Sequence, residues 1–162
     1  MKPADKDVRV IVAGTKTGGH LYPAEAVGRR LEQLGMSVTL VSSGEAVEDT
    51  ILRDSGLPVV VLKAGRLKGA GPVARLKGIL GLPVGLVRAA RLLMKLKPDL
   101  VVGFGGYTTG PLLMAAAMMR IPCAICEENS IPGLTNRVLA RFARRIFVAY
   151  EDTAGIFRGS RV

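Results

Sequence analysis

Several residue types are scarce in this chain, and their scarcity excludes whole classes of site. Its 162 residues include no tryptophan, one histidine (His20) and two cysteines, and aromatic residues account for 4%. Two cysteines cannot complete a four-cysteine zinc site, and so few stacking side chains disfavour nucleic acid as a partner. No apolar run reaches the length of a membrane span, since Pro83, Arg88 and Arg91 interrupt the best candidate. The polar first seven residues do not resemble a signal peptide, so we expect a cytoplasmic protein.

The two cysteines, Cys123 and Cys126, stand in a C-x-x-C pattern. This spacing is typical of redox and metal pairs, but residues three apart on a strand point to opposite faces of the sheet. We therefore interpret both as thiols of the hydrophobic core.

Positive charge is abundant and unevenly distributed. The net charge of +10 predicts an anionic partner. Residues 63–97, here called the basic segment, contain nine cations interleaved with apolar residues and no acidic residue. Such a segment is typical of a surface that dips into an anionic membrane leaflet, or of an amphipathic helix whose cations form its solvated face. The absence of any acidic residue favours the membrane.

Apolar runs alternate with helical segments along the chain. The predicted strands are 8–13, 37–42, 59–62, 98–102, 121–126 and 145–148. The predicted helices are 23–34, 46–54, 112–119 and 134–143, while the basic segment combines a loop with one or two helices. Apolar strands separated by helices predict one α/β domain over residues 1–162, with a Rossmann-like open parallel sheet covered by helices on both faces.

Two glycine-rich loops each follow an apolar strand directly. The first is Thr17-Gly18-Gly19-His20, and the second is Gly103-Phe104-Gly105-Gly106-Tyr107. Glycine allows close approach of the backbone to a ligand, and a helix that starts just beyond directs free N–H groups at an anion. Both loops lie at carboxyl ends of predicted parallel strands, where ligands bind. The sequence therefore predicts a phosphate or diphosphate between them.

Neither loop fits a common nucleotide motif. Residues 14–19 do not match G-x-G-x-x-G, and Ser42-Ser43 stand where a dinucleotide site has its acidic residue. The glycines that a P-loop requires around Lys16 are absent. His20 is either a residue that caps or packs the helix, or a general base; its position at the predicted ligand edge favours the base.

A third strand end also carries polar groups. Glu127-Glu128-Asn129 follows the predicted strand 121–126, and a turn leads to the helix at Leu134. This stretch could be a plain turn, with Ser130 or Thr135 capping the helix. Polar groups at three strand ends together indicate a functional site.

Three motifs together resemble the MurG family of peptidoglycan glycosyltransferases. They are Thr17-Gly18-Gly19-His20-Leu21-Tyr22-Pro23, the stretch 105–111 and the stretch 127–136. The resemblance implies the N-terminal half of a GT-B enzyme, in which this domain holds a lipid-linked acceptor and an absent C-terminal domain holds UDP-N-acetylglucosamine. It implies an inverting transferase that adds N-acetylglucosamine to lipid I, inactive without the donor half, at the cytoplasmic face of the plasma membrane.

The resemblance also implies roles for individual residues, with no cofactor and no metal. His20 would take the proton from the acceptor hydroxyl, Tyr107 and Asn129 would position the acceptor, and Glu127 would orient a neighbour or share the role of base. The residues expected at the acceptor diphosphate are Thr17, Gly18, Gly19, Gly105, Gly106 and Thr108. The residues expected in the membrane patch are Arg66, Lys68, Arg75, Leu76, Lys77, Ile79, Leu80 and Arg88.

The chain departs from the family pattern at one informative place. Cys126-Glu127-Glu128-Asn129 stands where the family often has His-Glu-Gln-Asn. His20 is therefore the sole imidazole, and Glu128 adds a negative charge beside an anionic substrate. Two other functions stay open: the acceptor and membrane subunit of a split N-acetylglucosaminyltransferase, and a non-catalytic module that binds anionic lipids.

Overall fold

A computed structural model describes residues 7–14, 18–63, 72–157 and 162. The strands are β1 (Arg9–Ala13), β2 (Ser37–Ser42), β3 (Val59–Val61), β4 (Leu100–Gly103), β5 (Cys123–Glu127) and β6 (Arg145–Val148). The helices are α1 (Gly18–Gln33), α2 (Ala46–Arg53), α3 (Pro72–Leu96), α4 (Thr109–Met118), α5 (Leu134–Leu139) and α6 (Glu151–Ile156). A short 3₁₀ turn, Ala140–Phe142, continues α5.

The strands form one parallel sheet in the order β3-β2-β1-β4-β5-β6. Because β1 pairs with both β2 and β4, it lies inside the sheet, and Val10, Ile11 and Val12 are at most 1% exposed. Such burial on both faces explains the uninterrupted apolar sequence of this strand. The predicted α/β class with an open parallel sheet is confirmed.

Two hydrophobic layers cover the two faces of the sheet. On one face, Ile11 and Ala13 pack with Leu93 of α3 and Leu112 of α4. On the other face, Val10 and Val12 pack in a layer that includes residues of α1 and α2. The alternation along β1 therefore assigns α3 and α4 to one side and α1 and α2 to the other.

The cysteines follow the same alternation, as predicted. Cys123 is buried in the layer beneath α3 and α4, and Cys126 packs against the opposite layer. Burial raises the pKa of Cys123 to about 11 and, together with the nearby charge of Glu128, that of Cys126 to about 12. Both thiols are thus protonated at neutral pH, which is typical of unreactive core cysteines.

Several predicted boundaries were wrong. Helix α1 begins at Gly18 rather than Pro23, and α4 begins at Thr109 rather than Leu112. The prediction took Pro23 and Pro111 as helix-opening residues, because proline favours the first helical turn, whereas both helices begin before their proline. The prediction also missed α6, and β5 extends to Glu127.

Residues 72–96 of the basic segment form a single 25-residue helix, α3, which decides between the one or two helices that the sequence left open. Pro83 lies inside it on an exposed stretch. Leu86, Ala89, Ala90 and Leu93 pack into the core on the buried side, and this packing offsets the hydrogen bond that proline removes. None of the helices in the described part of the chain is long and apolar enough to cross a membrane.

Glycine permits the close approach of α1 and α4 to the strands before them. A β-carbon at Gly14 would lie 2.7 Å from the β-carbon of Ala24 and would overlap the carbonyl oxygen of His20. A β-carbon at Gly103 would lie 2.5 Å from Cγ2 of Thr109. These two glycines therefore let the helices that carry the candidate site pack directly on the sheet.

We predict that Gly14→Ala lowers the free energy of unfolding by about 1–3 kcal/mol, because the added methyl group meets the backbone of α1. Urea denaturation measures this change. The matched control is Gly155→Ala in α6, where a β-carbon would meet nothing within 4 Å. That variant should be unchanged or more stable by up to about 1 kcal/mol. An equal loss in both variants would contradict the packing argument.

Candidate functional site

The candidate site lies at the carboxyl ends of β1, β4 and β5, which are neighbours in the sheet. Three chain segments meet there: the first turn of α1, the loop 104–108 after β4, and the loop 128–133 after β5. Since parallel strands end at the same edge, the three polar strand ends noted in the sequence come together.

Gly105, in the loop after β4, lies close to both α1 and α5. It has φ of +99° and Gly106 has φ of +91°, a left-handed backbone that favours glycine. A β-carbon at Gly105 would lie 3.5 Å from Cε1 of His20 and 3.5 Å from Nδ2 of Asn136. The imidazole of His20 and the buried amide of Asn136 therefore both face this loop.

His20 lies within the first turn of α1 and is bonded to Glu128. Its Nδ1 is 2.5 Å from Oε1 of Glu128, and the two side chains are 25% and 19% exposed. The hydrogen bond that Glu128 accepts raises the pKa of His20 above 6.5, and the charges of Glu128 and Glu127 add to the rise, while burial opposes it. His20 is thus a stronger base than a free imidazole.

Glu127 is a buried carboxylate, 2% exposed, with both oxygens occupied. Oε1 accepts hydrogen bonds from the backbone N–H and from Nδ2 of Asn129, at 3.0 and 2.8 Å. Oε2 accepts from the N–H of Gly133 and from Nδ2 of Asn136, both at 3.0 Å. Of its two predicted roles, this geometry favours orienting its neighbours, because it fixes the whole loop 128–133.

The same loop is held from its other side by α6. The Thr153 hydroxyl lies 3.2 Å from the carbonyl oxygen of Asn129 and 3.0 Å from that of Ser130. Neither predicted cap, Ser130 or Thr135, caps α5: Gly133 occupies that position without a side-chain hydrogen bond. The loop is thus held in place by hydrogen bonds with both Glu127 and α6, and it is not a plain helix-capping turn.

Hydroxyl groups of the second loop have distinct surroundings. The Tyr107 hydroxyl donates to Oε1 of Glu45 at 2.9 Å, which ties this loop to the start of α2. Thr109 donates to the carbonyl oxygen of Gly105 at 2.6 Å. Thr108 is fully buried, and its hydroxyl has no hydrogen-bond partner among the residues that the structure describes. Thr108 does not cap α4 through its side chain.

The helix starts at this edge suit an anion. Neither α1 nor α4 has an acidic residue in its first turn, and the first N–H groups of a helix lack partners within the helix. Within the described ranges, no group of three or more histidine, cysteine or acidic side chains is placed to hold a metal ion.

The structure accounts for the predicted residues unevenly. It joins His20, Gly105 and Glu127 in one contact network, to which Asn129 is attached through Glu127, and places Gly18 and Gly19 at the start of α1. Thr17, Arg66 and Lys68 lie outside the described residues. Arg88 is exposed on α3, and its guanidinium donates to the carbonyl oxygen of Lys63 at 2.7 Å. The other residues of the predicted membrane patch lie in α3 with side chains that are not described: Arg75, Leu76, Lys77, Ile79 and Leu80.

Two residues of the site were not predicted. Asn136 contributes a buried amide beside Gly105, and its Oδ1 has no hydrogen-bond partner among the described residues. Glu45 accepts the hydrogen bond of Tyr107. The motif 127–136 contained Asn136, but no local spacing connects it with Glu127, and Glu45 stands in no motif.

Comparison with known proteins places the chain in a family. The family model of the glycosyltransferase family 28 N-terminal domain matches residues 10–148. The chain is 38% identical over 157 residues to a UDP-N-acetylglucosamine–N-acetylmuramyl-(pentapeptide) pyrophosphoryl-undecaprenol N-acetylglucosamine transferase of Myxococcus xanthus. It is 41% identical over 147 residues to the protein of the same name from Syntrophus aciditrophicus. These matches cover 96% and 90% of this chain, and the chain spans 41% of the length of each relative.

Solved structures show the same relationship. MurG of Acinetobacter baumannii superimposes with a TM-score of 0.79 at 32% identity, over 90% of this chain and 42% of that one. The UDP-GlcNAc 2-epimerase of Neisseria meningitidis superimposes with a TM-score of 0.71 at 15% identity, over 93% of this chain and 42% of that one. At that identity the second likeness shows a shared fold alone.

We predict that Glu127→Gln lowers the free energy of unfolding by about 2–3 kcal/mol, because an amide NH₂ would face N–H donors that the carboxylate now accepts. Chemical denaturation measures the loss, and amide hydrogen exchange at Asn129 and Gly133 should accelerate. Glu32→Gln, an exposed change near the end of α1, is the control and should alter neither quantity. Unchanged exchange at Gly133 would show that Glu127 does not hold the loop.

Proposed function

The chain belongs to the glycosyltransferase family 28 N-terminal domain family, and from this premise we propose that it is the acceptor-binding half of an inverting N-acetylglucosaminyltransferase. The donor is UDP-N-acetylglucosamine and the acceptor a lipid-linked muramoyl-pentapeptide diphosphate. The named relatives, of which the chain spans 41%, support this assignment. The donor is bound mainly by the part of such enzymes that lies beyond the matched length.

One observation carries the proposal. The sole histidine of the chain lies in the first turn of α1, beside Gly105, at the edge of the sheet where ligands bind in open parallel sheets. It is a quarter exposed and therefore reachable by a substrate, and its pKa is raised by a neighbouring carboxylate. These are properties of a general base.

In the proposed reaction, His20 takes the proton from the acceptor sugar hydroxyl. The freed oxygen attacks the anomeric carbon of the donor sugar while the bond from that carbon to the UDP oxygen breaks. UDP leaves with the electron pair, so one displacement inverts the configuration without a covalent intermediate. The first turn of α1, with Gly18 and Gly19, and the loop before α4, with Gly105 and Gly106, hold the acceptor diphosphate through N–H groups. Thr108 follows this loop as the residue before α4 and is fully buried, so it supports the loop rather than contacting the diphosphate.

The remaining site residues position the acceptor. Glu127 fixes the loop that presents Asn129, and Asn129 is exposed while its amide donates to Glu127. Tyr107 is half-buried and braced by Glu45, so its ring has a defined place beside the second loop. Thr17 belongs to the first loop and completes the proposed diphosphate set.

The transferase assay tests this function. We expect turnover of UDP-N-acetylglucosamine and a lipid I analogue by a polypeptide in which this chain is followed by the remaining part of the Syntrophus relative. His20→Ala should lower kcat by about 10²–10⁴, the usual contribution of a general base. Gln33→Ala, exposed at the far end of α1, is the control. Turnover that survives His20→Ala undiminished would refute the role of base.

We propose further that α3 places the protein on the cytoplasmic face of the plasma membrane. Leu82, Val84 and Val87 are each about half exposed on it (55%, 50% and 48%). Arg88 and Arg91 are exposed beside them, and the helix contains no acidic residue. Exposed apolar residues among cations favour an anionic leaflet, where each Lys or Arg contributes about 1 kcal/mol. Nucleic acid is not proposed as a partner.

Vesicle binding tests this surface. The double variant Leu82→Ser, Val87→Ser should bind phosphatidylglycerol vesicles about tenfold more weakly, because two inserted apolar side chains are lost. Leu34→Ser, equally exposed at the end of α1, should bind like the native chain. Equal binding by all three would refute the surface. If the chain binds vesicles but the longer polypeptide of the transferase assay shows no turnover, the remaining hypothesis is the non-catalytic lipid-binding module, which family membership disfavours.

A further inference from the structure

Glu128 is the one charged residue of the site that the proposed reaction leaves without a role. It follows β5 directly, and its Oε1 lies 2.5 Å from Nδ1 of His20, across 108 residues of chain. Its second oxygen, Oε2, is buried and has no hydrogen-bond partner among the described residues. His20 is therefore the polar contact that the structure gives this carboxylate.

We propose that Glu128 is a positioning residue for His20: it accepts a hydrogen bond from Nδ1–H, fixes the ring and its tautomer, and makes Nε2 the basic nitrogen. This inference rests on the proposed function for its catalytic consequence, but its structural content stands on the geometry alone.

The tautomer follows from the chemistry of the two groups. An ionised carboxylate can only accept hydrogen bonds, so we assign the hydrogen of the 2.5 Å contact to Nδ1 of His20. The lone pair of the neutral ring then lies on Nε2. Cε1, which separates the two nitrogens, faces Gly105, whose lack of a side chain keeps that side of the ring open. Nε2 is thus the nitrogen available to an acceptor hydroxyl.

The neighbouring acid cannot replace Glu128 in this role. Both oxygens of Glu127 are occupied by four N–H donors, so its charge is already compensated. The charges that act on His20 among the described groups are those of Glu128 and Glu127, and both raise its pKa. The Cys126 thiol on the same strand has its pKa raised to about 12 and carries no charge at neutral pH.

Glu128 would contribute most as the proton moves. When Nε2 takes the acceptor proton, the imidazole becomes a cation, and the carboxylate at Nδ1 stabilises that charge as it develops. The pair also limits the repulsion between Glu128 and an anionic acceptor, because the carboxylate is bonded to an imidazole that gains positive charge.

The single histidine makes a direct test feasible. In ¹H–¹⁵N NMR of this chain across a pH titration, every imidazole signal belongs to His20. We expect the neutral ring to carry its hydrogen on Nδ1. In Glu128→Gln and Glu128→Ala the pKa should fall toward 6.5, and in Glu128→Ala the hydrogen should shift to Nε2. Glu32→Gln, which removes an exposed acid from the same helix, should leave the titration unchanged.

Two results would overturn the inference: a native neutral ring with its hydrogen on Nε2, or a His20 titration that is unchanged in Glu128→Gln. Because the titration needs no substrate, it remains decisive if the transferase assay fails. Circular dichroism identifies any variant that does not fold, and Glu128→Gln, which keeps the shape of the side chain, is the milder change.

A kinetic measurement separates positioning from a structural role. In the longer polypeptide of the transferase assay, Glu128→Gln should move the acidic limb of the kcat/KM profile to lower pH and lower kcat about tenfold. KM for the donor should not change. A loss of activity without movement of that limb would assign Glu128 a structural role and refute positioning.

Discussion

The close approach of α1 and α4 to the sheet is the constraint on which the site depends. Gly14 and Gly103 lack the β-carbons that would collide with the first turn of each helix. The helices therefore begin directly above the ends of β1 and β4, with His20 in the first turn of α1. A helix that started further along the chain would withdraw both the imidazole and the free N–H groups from the edge where a ligand binds. The packing of two helices on the sheet thus determines where the candidate site forms.

Two adjacent acidic residues have opposite environments. Glu127 is buried and receives four hydrogen bonds, so its charge serves the structure of the loop that follows β5. Among the residues that the structure describes, Glu128 has one hydrogen-bond partner, His20, and its Oε2 has none. Because successive residues at a strand end face different directions, one carboxylate enters the framework while the next reaches the site. Two adjacent glutamates of the sequence therefore have different roles in the structure.

Two parts of the molecule, the helix starts at the sheet edge and helix α3, have a charge pattern that suits an anion. The starts of α1 and α4 carry no acidic residue, and neither does α3, whose exposed face combines cations with apolar side chains. Both features suit the proposed acceptor, which has a diphosphate next to a lipid: the sheet edge would bind the phosphates while α3 would lie at the leaflet. The acids of the site do not oppose this arrangement, because one is compensated by N–H donors and the other is bonded to His20.

The sequence by itself determined the class of fold, the parallel sheet and the edge at which the polar strand ends meet. Buried parallel strands must be apolar throughout, and glycine-rich strand ends mark that edge. It also assigned the two cysteines to opposite faces of the sheet, since the alternation of side chains along a strand is a local property. Only the tertiary structure decided that α1 begins at Gly18, that α3 continues through Pro83, that Glu128 meets His20 and that Asn136 meets Gly105. Those outcomes depend on contacts between residues up to 108 positions apart, which no local propensity or spacing records, because they arise when separate strands pair and bring their loops together.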